Sequence, residues 1–154
     1  MKNYLITGTA GTGKSAVGEA LCLKGYRVIE FDGYPRNGVI YKDYRQKFDR
    51  RTDKPTKYQR GDGWSVLRHI DWRIDRSKLI PDLKGNADEV QFVCGYANNW
   101  EELKEDFDGI FLLDVDPTII ANRLLTRTTG DWGRSYLEEM RHATETDAEY
   151  KKVY

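Results

Sequence analysis

A chain of 154 residues, 39% of them hydrophobic and including four Trp and ten Tyr, is long enough to bury one core and falls within the size of a single domain. Two cysteines, Cys22 and Cys94, without metal-type spacing or a neighbouring His, exclude a disulfide framework and a zinc site, and both are expected as buried apolar residues. No stretch approaches a membrane span or a secretory leader, so the expectation is a cytoplasmic protein with no membrane partner; the zero net charge conceals an excess of six positive charges between Lys42 and Lys78 and of six negative ones from Glu101 on.

Tyr4-Leu5-Ile6-Thr7 is a short apolar, β-branched run stopped by Gly8, the pattern of a buried parallel strand. From Ser15 to Lys24, Ala16, Val17, Ala20 and Leu21 recur at helical spacing, and Gly25 ends the helix. A second strand, Arg27 to Phe31, ends at Asp32. Between Gly33 and Gly63 no period survives and Pro35 and Pro55 interrupt the run, which predicts a partly irregular insert over the sheet edge. Trp64 to Leu83 is expected to be helical in parts, on the spacing of Val66, Ile70, Ile74 and Leu79, with Pro81 limiting its length. Glu89 to Cys94, closed by Gly95, makes a third strand, Trp100 to Phe107 a short helix begun by Asn98 or Asn99, and Ile110 to Val115 a fourth strand. Asp116 as N-cap and Pro117 in the first turn open a helix carrying Ile119, Ile120, Leu124 and Leu125. A polar break from Thr128 to Gly133 and an acidic helix from Ser135 to Lys152 complete the chain. Strands alternating with helices predict a parallel, doubly wound sheet with ligands at the carboxyl ends of its strands.

The loop Gly8-Thr9-Ala10-Gly11-Thr12-Gly13-Lys14-Ser15 follows a predicted strand and opens a predicted helix, the context in which the pattern Gly-x-x-x-x-Gly-Lys-Ser cradles a nucleoside triphosphate. Glycines let the backbone curl so that successive N–H groups face phosphate oxygens, and the helix N-terminus adds a favourable dipole. Gly8, Gly11, Thr12, Gly13, Lys14 and Ser15 are therefore the expected ATP-binding residues, with Lys14 reaching the terminal phosphates and the Ser15 hydroxyl ligating Mg²⁺. A glycine-rich turn that binds nothing would not need this context.

A carboxylate must serve the metal or take a proton. Asp114 ends an apolar run, but on the outer fourth strand, and Asp116 caps a helix, so both read as loop and cap residues. Asp32, at the carboxyl end of strand two and on the same side as Glu30, is the candidate for accepting a substrate proton or holding a Mg²⁺-bound water; a turn-forming Asp before Gly33 is the alternative. Arg123 and Arg127, four apart where a helix meets a glycine-containing break, and Arg134 just beyond, supply the cations that phosphoryl transfer needs.

On these residues the chain resembles the small P-loop kinases of the adenylate kinase and shikimate kinase group, and uncharacterised bacterial ATP-binding proteins labelled nucleoside kinase-like. The carriers are Gly8 to Ser15, Asp32, Val93-Cys94-Gly95, and Leu113-Asp114-Val115-Asp116-Pro117 followed by Asn122-Arg123-Leu124-Leu125-Thr126-Arg127. The resemblance implies a three-layer P-loop NTPase fold with a parallel sheet in the order 2-3-1-4 flanked by helices. It implies one domain over 1–154, an acceptor-side insert at about 33–86 and a short lid at about 127–135. It also makes Arg123 and Arg127 ATP-side residues and Arg134 a lid arginine. The insert interleaves Tyr34, Tyr41, Tyr44, Trp64 and Trp72 with Arg36, Arg45, Arg50 and Arg51; aromatic faces stack bases and arginines pair with phosphates, while Trp64 and Trp72 as core anchors remain the alternative. Two departures stand out: no acidic residue ends strand three, and no fifth strand follows the final helix.

The function implied is an ATP-dependent kinase of a small metabolite, a nucleoside or nucleotide foremost, with Lys14, Asp32, Arg127 and Arg134 catalytic and Ser15 and Asp32 at the metal. A nucleic-acid end kinase and an ATP-hydrolysing switch without a metabolite acceptor are the competing readings.

Overall fold

The computed structural model describes residues 1–33, 38–85, 89–128, 132 and 137–150. Strand β1 (Lys2–Thr7) leads through the glycine loop into helix α1 (Lys14–Leu23) and on to β2 (Arg27–Glu30) and a two-residue β3 (Ile40–Tyr41). Downstream of the insert, β7 (Val90–Cys94) and β8 (Gly109–Leu112) complete a five-stranded sheet in the order β3-β2-β7-β1-β8, parallel throughout. The four strands expected from the sequence take the expected order, and a fifth is added beside β2, from within the insert. Among the described residues no strand follows β8.

The period of two in these strands sends side chains to both faces of the sheet. Leu5, Ile29 and Val93 pack with Leu79, Leu83 and Leu103, which come from α3 (Arg76–Leu79), the 3₁₀ turn after it and α4 (Trp100–Leu103). On the opposite face Ile6, Val28 and Cys94 meet Val17 and Leu21 of α1. The result is three layers, with both faces of the central strands covered, as a parallel sheet requires. Cys94 is fully buried, and burial with Glu30 and Asp32 nearby pushes its thiol up to about 12. Cys22, in contrast to the expectation, is only half-buried, with Sγ 2.9 Å from the Gly38 carbonyl oxygen.

The insert is more regular than its sequence suggests. β4 (Arg45–Asp49), β5 (Lys54–Pro55) and β6 (Ile70–Ile74) form a separate antiparallel sheet in the order β5-β4-β6. The stretch expected as helical is thus a strand at its centre, flanked by single turns, α2 (Trp64–Leu67) and α3. Ile70 and Ile74 are four apart, a spacing that one helical turn and two strand repeats share. Trp72 decides between them, because it is buried on the same side as both isoleucines, while Asp71 and Arg73 are half-buried.

Asn98 and Asn99 tie the two sheets together. Asn98 Oδ1 accepts from the Trp72 N–H at 2.7 Å, and Asn98 N–H donates to the Trp72 carbonyl at 2.7 Å. Asn99 Oδ1 accepts from the Ile74 N–H at 2.9 Å, and its amide donates to the Ile74 carbonyl at 3.1 Å. The side chains stand in for a neighbouring strand along the open edge of β6. Asn99 does occupy the N-cap position of α4, but its side chain makes no cap bond, since its amide already serves β6.

Asp116 caps α5 (Pro117–Thr126) as expected, accepting from the Thr118 N–H at 2.8 Å. The last helix, α6 (Leu137–Tyr150), packs on α5 through Ile120, Leu124 and Ala143. It also closes on the insert: Arg60 Nη2 donates to Glu139 Oε2 at 2.6 Å, the Glu139 side chain being fully buried. Alongside, His142 meets the Trp64 ring edge-on with centroids 6.5 Å apart, and the Arg141 guanidinium lies 4.4 Å above that ring.

Burial pushes the His142 imidazole down to about 4, with Arg50 adding to the effect and Glu145 opposing it. The folded value lies below the unfolded one of 6.5, so the neutral ring stabilises the fold fully above that pH and the contribution is lost as pH falls toward 4. Urea unfolding at about pH 7 and about pH 4.5 should show the wild type losing about 2–3 kcal/mol more than His142→Gln on acidification. Equal losses would remove His142 from the acid response.

Gly95 marks a close approach of main chain to core. A Cβ there would fall 2.4 Å from Cζ of Phe31, itself fully buried. Gly95→Ala should lower stability by about 1–3 kcal/mol, read from the urea midpoint, and an unchanged midpoint would show that the Phe31 ring can move aside.

Candidate active site

Gly13 is the N-cap residue of α1 and adopts the left-handed conformation, with φ of 102°, which a side chain would strain. This turn points Lys14 back over the loop, where it is buried. Its ammonium has three donors and three acceptors around it: the Gly8 carbonyl at 2.8 Å, the Thr9 carbonyl at 3.0 Å and Asp32 Oδ2 at 3.3 Å. A phosphate oxygen that engages Lys14 takes the place of one of these.

Asp32 sits where the sequence placed it, just beyond β2. The same Oδ2 accepts from the Tyr96 N–H at 2.9 Å, so the carboxylate is oriented by the chain leaving β7. Two residues earlier, the buried Glu30 carboxylate accepts from the Ser15 hydroxyl. Consecutive loop residues, Lys14 and Ser15, are thus matched to alternate strand residues, Asp32 and Glu30. Sequence reasoning noted that Glu30 shares the side of Asp32 but gave it no role; the alternation was the available signal.

The Ser15 hydroxyl with the two carboxylates is an all-oxygen set of the kind Mg²⁺ takes, and that ion needs few protein ligands because it keeps several waters. Among the described residues no group of three or more His, Cys, Asp or Glu converges as a self-sufficient metal cage. The residues therefore fit a metal held jointly with phosphate rather than by the protein alone.

The loop and the Asp32 carboxylate border a cavity of about 480 Å³, which Thr9, Gly11, Gly13, Lys14, Ser15 and Asp32 line. Arg123 and Arg127 border it, in different ways. Arg123 Nη1 donates to the Gly11 and Thr12 carbonyls, each at 3.3 Å, and so grips the loop from α5. Arg127 does not share the helical face of Arg123: it is the C-cap residue with extended ψ of 143°, and its Nη2 donates to the Trp132 carbonyl. Arg134, Tyr34 and Arg36 lie outside the described residues.

The far wall was not foreseen as a unit. Arg45 and Trp72 come from β4 and β6, Tyr96 from the end of β7, Trp132 from the segment after α5, and His142 from α6. The Trp72 and Trp132 rings meet edge-on at 6.0 Å, and Tyr58 packs edge-on against both, at 6.1 and 6.4 Å. Trp72 is thus a buried anchor that also lines the cavity, whereas Trp64 faces α6. Of the other insert aromatics, Tyr44 is a core residue whose hydroxyl donates to Asp82 at 2.7 Å, and Tyr41 is half-buried on β3. Arg50 pairs with Asp71 and Arg51 with Asp49. Asp114 is exposed and away from the cavity, in keeping with a loop residue.

No family model and no curated protein matches this chain. Among solved structures it is similar to the crystal structure of a gluconokinase from Sinorhizobium meliloti 1021, at 19% identity over 96% of this chain and 73% of that one, with a TM-score of 0.49.

Proposed function

We propose that this chain is an ATP-dependent phosphotransferase that acts in the cytoplasm on a small-molecule acceptor, nucleosides and nucleotides being the acceptor class. The observation that carries this reading is the Lys14–Asp32 pair, which joins a triphosphate-type loop to a carboxylate at the mouth of an aromatic-walled cavity. A nucleotide-hydrolysing site needs only the loop and a held water; the aromatic side chains of Trp72, Tyr96 and Trp132 on the same cavity are a lining suited to a second, flat molecule.

In this proposal the loop N–H groups and the α1 N-terminus hold the ATP phosphates, and Lys14 balances charge on the group in transfer. When bound, Mg²⁺ would be held by the Ser15 hydroxyl with Glu30 and Asp32 behind it, and would neutralise charge between the outer phosphates. Asp32 takes the proton of the acceptor hydroxyl as its oxygen bonds to the terminal phosphorus and the bond to ADP breaks. Arg123 and Arg127 add positive charge on the donor side, Arg134 is assigned to a short lid at about 127–135, and the acceptor is assigned to an insert at about 33–86, all within one domain.

The structure favours a small acceptor over a nucleic-acid strand through its ion pairs. Arg50, Arg51, Arg73 and Arg76 of the basic insert are each bound to an Asp, so they present no continuous cationic track for a phosphate backbone.

Asp32→Asn should cut acceptor-dependent ADP formation by about 10²- to 10⁴-fold while ATP affinity changes little. Unchanged turnover would sink Asp32 as the base. The parent experiment is an acceptor screen read as ADP release, with Lys14→Ala as blank; release that no nucleoside, nucleotide, sugar or sugar acid stimulates would favour a hydrolytic switch.

A further inference from the structure

Asp32 and the cavity wall come from different parts of the chain. Asp32 follows β2 of the central sheet, Trp72 belongs to β6 of the small antiparallel sheet, and both line the same cavity. Transfer to a molecule lying on that wall requires the two to keep a fixed relation, because the reacting hydroxyl must meet the base and the terminal phosphorus at once.

The segment leaving β7 joins them. The Tyr96 N–H donates to Asp32 Oδ2 at 2.9 Å, the Tyr96 hydroxyl accepts from Asn98 Nδ2 at 2.8 Å, and Asn98 Oδ1 accepts from the Trp72 N–H at 2.7 Å. The Asn98 N–H completes the clamp by donating to the Trp72 carbonyl at 2.7 Å. Tyr96, a buried residue on the cavity, is thus fixed at both ends, its main chain on Asp32 and its hydroxyl on Asn98. Asn98 itself does not line the cavity.

Asn99 provides the contrast. It makes the same two-way contact with the Ile74 main chain, at 2.9 and 3.1 Å, but its amide also donates to Glu102 at 3.2 Å and does not reach Tyr96. Both asparagines fasten β6, and of the two Asn98 alone continues to the residue that orients the carboxylate.

We propose that Asn98 is a positioning residue for transfer to the acceptor: through Tyr96 and the Trp72 main chain it holds the cavity wall and the Asp32 carboxylate in one frame. This rests on the phosphotransferase reading. A misaligned wall still offers its ring to the acceptor, so ground-state binding is kept while the transition state, which needs the alignment, is destabilised.

ADP release is measured with ribonucleosides, their 5′-monophosphates, common aldoses and their aldonic acids, and the acceptor with the highest kcat/KM is carried forward. Asn98→Ala should lower kcat about 10- to 100-fold, with the acceptor KM and the ATP Kd within about threefold of wild type. Asn99→Ala, which loosens the same strand, should leave kcat within about threefold. Asn98→Asp still accepts from the Trp72 N–H and can accept from the Tyr96 hydroxyl, so it should restore kcat to within about fivefold of wild type. In an Asp32→Asn background Asn98→Ala should cost less than about threefold, because its effect runs through the base already removed. If Asn98→Ala does not fold, Tyr96→Phe decides: it removes only the hydroxyl that Asn98 holds, and a kcat loss of about fivefold or more is expected. A change confined to KM, an equal kcat loss in Asn99→Ala, or a loss that persists in full without Asp32 would reduce Asn98 to a fastening of β6 and overturn the proposal, leaving the phosphotransferase reading intact. Wild-type ADP release that none of these acceptors stimulates would overturn that reading, and the role of Asn98 with it.

Discussion

A buried ammonium has to be surrounded by acceptors, and that requirement at Lys14 organises the rest of the site. Two of its acceptors are carbonyls of its own loop and the third is Asp32, on a strand separated from β1 by β7. The pair can form only because the sheet order places the carboxyl ends of β1 and β2 on either side of β7, whose continuation at Tyr96 supplies the N–H that orients Asp32. Ser15 and Glu30 repeat the arrangement one residue along the loop and two along the strand. Loop, strand end and inter-strand turn are therefore held as one rigid unit, the kind of support a reacting group needs to keep its geometry.

What could be seen in the sequence follows from how local each signal is. The glycine loop, Asp32 and the helix start at Asp116-Pro117 are each specified by residues within a few positions, and the structure places all three as expected. The antiparallel sheet is specified by pairing across more than twenty residues. Its middle strand, Arg45-Gln46-Lys47-Phe48-Asp49, has no apolar alternation: the side it shares with Trp72 carries Arg45, Lys47 and Asp49. Strand character here resides in the partner, where Ile70, Trp72 and Ile74 alternate, and that pattern also satisfies a helix. Asn98 and Asn99 were legible as capping types, but not as replacements for a strand edge in another sheet. The cavity wall depends on these long-range pairings, so it was the least readable part of the site.

The charge asymmetry along the chain has a similar origin. The basic insert and the acidic second half are complementary in space: Arg76 binds Asp106 from the turn after α4, and Arg60 binds Glu139 on α6. Lys42 reaches Asp82, which also receives the Tyr44 hydroxyl. Exposed pairs of this kind contribute little to stability one by one, but Arg60–Glu139 differs, since removing Arg60 would take this cation from a fully buried carboxylate on α6. Two cations of the insert thus dock it onto the acidic second half, while Arg50, Arg51 and Arg73 pair with acids inside the insert itself.

Trp132 joins the end of α5 to the insert. Its carbonyl receives Arg127 at the end of α5, while its ring packs on Tyr58 and Trp72 of the insert and lies 5.8 Å from the Arg60 guanidinium. Arg60 in turn is fixed by Glu139 on α6. A molecule settling against Trp72 therefore touches an aromatic cluster whose far member also holds Arg127, an arginine on the same cavity. The ring packing around Trp72 and the placement of Arg127 thus run through a single residue, Trp132.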